Sequence, residues 1–286
     1  MTSRTGNLLI GTSGWTYEDW RRRFYPEEIP RKDWLSWYAQ LFATTEINGS
    51  FYRTPSCEAV RQWRERTPAN FRFAWKASKF ITHWKRLTER SANSIELMVS
   101  RLQILGRKCG PVLFQLPSRF RANRERLASF IDLLPATYRY AFEFRHESWY
   151  EEPVFQLLRD HNVSLCLSDH HDAPSPWIVT ARHVYVRGHG PGGRYKAATG
   201  SRHCGPGLIR SGLGEKPTGK CTSILTMTRR VLLRRTPSDL STCVHKPPFL
   251  ILIPAKASAA RTMPPRGGKG DGRPNIGPPD WPQQPR

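Results

Sequence analysis

The sequence predicts an α/β protein built as a (β/α)8 TIM-type barrel that is incomplete, with seven recognisable strand-helix units and an eighth strand missing or replaced. Three observations carry this. Short apolar runs recur, with starts near residues 8, 44, 71, 110, 138, 164 and 183. Stretches with apolar side chains at three- and four-residue spacing lie between them. Strands apolar on both faces, separated by amphipathic helices, form a parallel sheet covered by helices. No G-x-G-x-x-G loop follows the first strand, where Gly11-Thr12-Ser13-Gly14-Trp15 stands, so a barrel is favoured over an open dinucleotide-binding sheet.

The elements follow in order. Residues 8–13 read as a buried strand, and Trp34, Tyr38, Leu41 and Phe42 recur at helical spacing. Thr44-Thr45-Glu46-Ile47-Asn48-Gly49-Ser50-Phe51-Tyr52 reads as a second buried strand that carries a carboxylate, an amide and a phenol toward a shared pocket. Val60 and Trp63 mark its helix. Residues 71–76 form the third strand, followed by Ile95, Met98, Leu102 and Leu105 on a helix that Gly106 is placed to cap. Residues 111–117 form the fourth. Leu127, Phe130, Ile131 and Leu134 make an amphipathic stripe that Pro135 ends. Residues 138–145 form the fifth, with a helix marked by Val154, Leu157, Leu158 and His161. Residues 163–169 form the sixth and 183–187 the seventh, and the short connection between those two leaves room for little helix. Beyond, Ile224, Leu225, Met227, Val231 and Leu232 predict a short helix, and residues 249–253 are the one run fit to substitute for an eighth strand.

Composition divides the chain into a barrel domain, residues 1–200, and a basic Pro/Gly-rich tail, residues 201–286, largely irregular. The 286 residues are 38% apolar and 11% aromatic, enough to bury a core. The tail holds 13 of the 24 prolines and 10 of the 21 glycines but only two aromatic residues, Phe249 and Trp281. It therefore has little apolar surface to offset its ordering entropy. The formal charge of +22 raises nucleic acid as a partner through counterion release. No basic-aromatic ribbon, zinc-finger spacing or helix-turn-helix pattern accompanies it, which disfavours that partner. The six cysteines are scattered with no C-x-x-C pair, no apolar leader opens the chain, and no 18-residue apolar run occurs. The expectation is a cytoplasmic protein with no disulfides, no zinc-thiolate site and no membrane partner.

In a barrel of this type the chemistry sits at the C-terminal strand ends, where the βα loops converge. The polar residues fall there. By the two-residue period, Glu46 shares a strand face with Asn48, Glu143 with Arg145, and Tyr185 with Arg187 and His189. Lys76 ends the third strand, Gln115 lies late in the fourth, and Asp169 ends the sixth before His170 and His171. Two carboxylates in one buried cleft titrate apart, so one can act as acid and the other as base. Glu46 and Glu143 are that pair, with Asp169 and His189 as further catalytic candidates. Asn48, Tyr52, Lys76, Gln115, Arg145, Arg187 and Arg194 are candidate substrate ligands. The alternative is that Glu143 with Arg145, or Glu46 with Lys76, are internal ion pairs. No metal is expected, because Lys76, Arg145 and Arg187 at the same rim would repel a cation. The cofactor is left open. Arg187-Gly188-His189-Gly190-Pro191-Gly192-Gly193-Arg194-Tyr195 could bind an anionic group through backbone amides or be a tight turn. His83 and His146 could shuttle protons or be structural, and Trp15 and Trp149 could stack on a ligand or pack in the core.

These motifs together resemble the YecE-like family, a domain of unknown function. The residues that carry the resemblance are Gly11-Thr12-Ser13-Gly14-Trp15, Phe24-Tyr25-Pro26, Glu46-Ile47-Asn48 with Phe51-Tyr52, Lys76 with Thr82-His83, and Phe114-Gln115-Leu116-Pro117. Glu143 with Arg145 and Trp149, and His189-Gly190-Pro191 with Arg194-Tyr195, complete it, over about residues 8–196. The resemblance implies a (β/α) barrel and no reaction. After Tyr195 the family pattern of a Trp-containing helix, an eighth strand ending in a Tyr-Phe-Asp/Asn-Asn-Asp motif and an Ala-rich helix is absent. A shift of reading frame accounts for this: displacing the codons of residues 249–264 by one base permits Phe-Asp-Thr-Asp-Pro-Ser, close to the missing motif. The expected function is that of an acid/base enzyme, hydrolase or lyase, on a small polar or anionic metabolite. The alternatives are a basic nucleic-acid-associated protein and a non-functional frameshifted copy.

Overall fold

The computed structural model describes residues 8–189 and the backbone of residues 222–227. Five strand-helix pairs come first: β1 (Leu8–Thr12) and α1 (Trp34–Leu41), β2 (Thr44–Ile47) and α2 (Cys57–Glu65), β3 (Arg72–Lys76) and α3 (Ala92–Leu105), β4 (Cys109–Gln115) and α4 (Arg124–Asp132), and β5 (Tyr140–Glu143) and α5 (Glu152–Asp160). β6 (Ser164–Ser168), β7 (His183–Gly188) and β8 (Thr222–Met227) follow. All strand pairings are parallel in the order β1 to β8, and β8 closes the ring against β1. The first seven strands form a curled α/β half-barrel. Its helical layer is incomplete, since residues 169–182 connect β6 to β7 without a helix.

The strands begin within two residues of the expected positions because each is bounded by a local signal. Ser56 accepts a hydrogen bond from the Ala59 amide to start α2, and Asn123 accepts from the Arg126 amide to start α4. Gly106, at φ 54°, ends α3 with its amide on the carbonyls of Leu102 and Gln103. Gly11 has a different reason: a Cβ there would lie 1.9 Å from the Thr44 carbonyl oxygen, so β1 and β2 approach only without a side chain. The Tyr38 hydroxyl of α1 reinforces that seam. It accepts from the Thr12 amide at 2.8 Å and donates to the Thr44 carbonyl at 3.0 Å.

Outward strand faces and inward helix faces bury the main core, which is unusually aromatic: Trp34, Tyr38, Phe71, Phe73, Phe114, Phe130, Phe142 and Trp149 are all fully buried. The lumen is different. Its lower level is a small cluster of Ala74, Leu113, Ala141, Cys166 and Tyr185, with Leu9 packed against it. Short side chains on β3, β5 and β6 leave the space into which Tyr185 and, one level higher, Arg187 project from β7.

Three expectations need correction. The second strand ends at Ile47, and Asn48–Phe51 turns into a 3-10 helix because the Ser50 hydroxyl bonds the Ile47 and Lys76 carbonyls, each at 2.6 Å, and pulls the chain across the end of β3. The fifth strand runs only over Tyr140–Glu143. The helix expected around Ile224 is instead β8: Val186 and Leu225, like Ile10 and Leu225, stand opposite each other in register, so ladder pairing outweighs the helical spacing of its apolar residues. β8 lies at Thr222–Met227, well along the chain from β7. Residues 249–253 lie outside the described residues. No helix among the described residues is long and apolar enough to cross a membrane.

Candidate functional site

The C-terminal mouth of the barrel is built over one guanidinium. Arg187, on β7, reaches across the lumen and grips Glu46 of β2 with a two-pronged fork: Nε to Oε2 at 3.1 Å and Nη2 to Oε1 at 3.0 Å. Its remaining nitrogen, Nη1, donates to Oε2 of Glu143 on β5 at 2.6 Å. Tyr185, one level below, donates its hydroxyl to Glu46 Oε2 at 2.8 Å. Arg145 covers Glu143 from above, with Nε and Nη2 each 3.0 Å from Oε1. Both carboxylates are fully buried. Burial alone would raise the Glu143 pKa, but the guanidiniums of Arg187 and Arg145 outweigh it and hold this carboxyl well below the usual carboxylate range. The same two carboxylates hold Arg187 charged despite its burial.

A second group adjoins Glu143. Asp169, at the end of β6, accepts from the His189 amide at 2.6 Å and lies 3.0 Å from His189 Nδ1. The far ring nitrogen of His189, Nε2, stands 3.9 Å from Glu143 Oε1. The His170 ring packs edge-on against that of His189 at 4.9 Å, and burial lowers the His170 pKa to about 4.

Above this frame opens a cleft of about 460 Å³ lined by Ser13, Tyr17, Asn48, Phe51, Tyr52, Lys76, Lys79, His83, Gln115, Arg145 and Arg187. Lys76 is a strongly perturbed residue of its wall. Its ammonium donates to Asn48 Oδ1 at 3.1 Å and sits 4.4 Å from the centre of the Phe51 ring. Only 7% of Lys76 is exposed, and burial, followed by the charge of Arg187, lowers its pKa to about 7. The single π-helical turn Phe80–Trp84 brings Lys79 and His83 to the same wall. Burial and then Lys76 lower the His83 pKa to about 4, so the ring is neutral at neutral pH.

The structure thus sorts the candidate residues. Asn48, Tyr52, Lys76, Gln115, Arg145 and Arg187 line the cleft. Glu46, Glu143 and His189 lie beneath it, fully buried, with Asp169 beside them half-buried. Arg194 and the glycine run from Gly190 lie outside the described residues. Glu46 pairs with Arg187, not with Lys76. Trp149 is a core residue, stacked on Phe144 at 4.7 Å, and Trp15 packs edge-on against Trp63. His146 takes the Ser148 amide as a helix cap. Ser13, Tyr17, Phe51 and Lys79 are cleft residues that the strand period does not single out, because they stand on loops and turns. Tyr185 was legible as a neighbour of Arg187 on one strand face. Among the described residues, the group of three histidine and carboxylate side chains whose donor atoms all lie within 4.8 Å of one another is His170, His171 and Asp172, on the loop after β6.

Comparison with known proteins adds a family. The family described as "Protein of unknown function DUF72" matches residues 9–204. The UPF0759 protein YecE of Escherichia coli K12 is 29% identical over 144 residues, 50% of each chain, so the chain spans about half the length of that curated relative. Among solved structures, a DUF72 family protein from Thermotoga maritima superposes with a TM-score of 0.68 at 25% identity, covering 84% of this chain and 100% of the other. A DUF72 family protein from Enterococcus faecalis superposes with a TM-score of 0.60 at 20% identity, covering 77% and 88%.

Proposed function

The chain belongs to the DUF72 family, and from that premise we propose that its barrel mouth binds a small anionic metabolite and carries out acid–base chemistry on it, as a hydrolase or lyase. One observation supports this above the rest: the cleft wall presents Lys76, Lys79, Arg145 and Arg187, and none of the described residues lining it is a carboxylate. Glu46 and Glu143 oppose Arg187 and Arg145 in the frame below, so the lysines add positive charge to a neutral foundation. Fixed cationic donors in a partly desolvated cleft suit both anion capture and stabilisation of developing negative charge.

The acid–base role passes in this reading from the glutamates to Lys76. A general acid or base works best with a pKa near the working pH and contact with the reacting atoms. Lys76 has both. Glu143 is held ionised below the cleft floor and serves, with Glu46, to fix Arg187. Asp169 and His189 form a second, more distant proton path toward Glu143.

The test is a thermal-shift and calorimetric screen of small dicarboxylates, phosphate and sugar phosphates at constant ionic strength. The reading expects saturable stabilisation by one class, weakened about tenfold or more in Arg145→Gln, as loss of one charge-assisted contact implies. No ligand stabilising the protein beyond chloride, or full affinity in the variant, would contradict it. Nucleic-acid binding rests on the basic composition of residues 201–286 and requires steeply salt-dependent heparin retention. The frame shift after Tyr195 is likewise a proposal, which the codons of residues 249–264 decide.

A further inference from the structure

We infer that Lys76 is a covalent residue, one that forms a Schiff base with a small anion bearing a carbonyl group, a 2-oxo acid being the simplest. This deepens the anion-cleft reading and rests on it. The geometry is that of an amine held for attack. Lys76 ends β3, its side chain crosses the cleft wall, and one N–H is engaged by Asn48 Oδ1 at 3.1 Å. The Phe51 ring shields the nitrogen from one side at 4.4 Å. Among the described residues, no carboxylate comes within ion-pair distance of Nζ. Those nearest in the frame are engaged by Arg187 and Arg145. Lys79 and Arg145, on the same wall, suit the carboxylate of such a substrate.

Lysine is nucleophilic only as the neutral amine, and burial with the neighbouring Arg187 charge provides that form near neutrality. The step balances without any redox partner. The Nζ lone pair forms a C–N bond to the carbonyl carbon, and the carbonyl π pair moves to oxygen, which takes up a proton. The resulting carbinolamine then expels that oxygen as water. Overall, amine, carbonyl and one proton from the medium give a protonated iminium and water. The iminium is an electron sink that a lyase uses to stabilise a carbanion formed next to it.

The experiment uses the full chain, with glyoxylate as the carbonyl anion, sodium cyanoborohydride as the trapping reductant, and peptide mapping by mass spectrometry. At pH 7 an ordinary lysine is neutral about a thousand times less often than Lys76. The reduced adduct is therefore expected on Lys76 in at least about tenfold excess over exposed lysines outside the cleft such as Lys32, and it should be suppressed by oxalate, which cannot react. Adducts spread over surface lysines, with Lys76 at or below their level, overturn the proposal. Thermal shift with oxalate separates the two readings. Stabilisation by oxalate without a Lys76 adduct overturns the Schiff base alone, and the absence of both overturns the anion cleft with it. Mapping on the wild-type protein makes the outcome independent of whether Lys76→Met folds.

Discussion

Arg187 shows how much one side chain can organise. Its guanidinium satisfies both buried glutamates at once, and removing it leaves Glu46 with only the Tyr185 hydroxyl and Glu143 with only Arg145 as hydrogen-bonding partners, among the described residues, in a fully buried frame. The pair need not be worth much relative to an apolar substitute, but breaking it from one side is expensive. Arg187→Met is expected to cost about 3–5 kcal/mol in urea unfolding at neutral pH. Because Glu143 is depressed in the native state, its stabilising contribution is present above the unfolded carboxylate pKa of about 4.3 and is lost as pH falls below it. The variant should therefore lose most at neutral pH and little at acid pH; an equal loss at both would contradict the account. Lys76 acts with the opposite sign. Its native pKa of about 7 lies below that of the unfolded lysine, so the unfolded chain binds the extra proton between them. Stability should rise with pH from about 7 toward 10.4, by at most about 1.4 kcal/mol per unit. Lys76→Met should flatten that rise, measured by urea midpoints at pH 7 and 9.

At the level of elements, the β1–β2 seam depends on Gly11 having no side chain and on the Tyr38 hydroxyl bridging both strands. Gly11→Ala places a methyl group against the Thr44 carbonyl, a backbone atom that cannot swing aside. A loss of several kcal/mol or failure to fold is expected by circular dichroism and denaturation, comparable to severe overpacking at about 3 kcal/mol or more. Gly49→Ala, with nothing within 4 Å and an ordinary backbone, is the matched control and should shift stability by well under 1 kcal/mol. The strand positions were legible because apolar runs and Gly, Pro, Ser and Asn boundaries are local signals. The turn at Asn48 was not, since it follows from the Ser50 hydroxyl meeting the end of β3, a contact 26 residues away. For the same reason the period found Glu46, Arg187 and Glu143, yet could not tell that the carboxylates lie below the cleft and the lysine on its wall. Lys79 was missed because a π-helical turn, not a strand, delivers it.

For the molecule as a whole, closure and charge are the two consequences. β8 supplies partners along all of β1 and β7, whose edges would otherwise stand open. A chain ending at residue 221 should therefore aggregate or melt without cooperativity, and a sharp monomeric melt would contradict the closed ring. The apolar spacing in that segment misled toward a helix because its pairing with both β1 and β7 is a property of the ring, invisible to any local window. The ring also sets the charge of its mouth: two carboxylates neutralise two guanidiniums inside, leaving the lysines to face an incoming anion. The central claim, that this architecture turns Lys76 into a group titrating near neutrality, is tested most directly by NMR of the protein with its lysine side chains isotopically labelled, followed from pH 5 to 11. The account predicts one lysine signal, absent in Lys76→Met, with a midpoint near 7. Titration of Lys76 together with the others would contradict it.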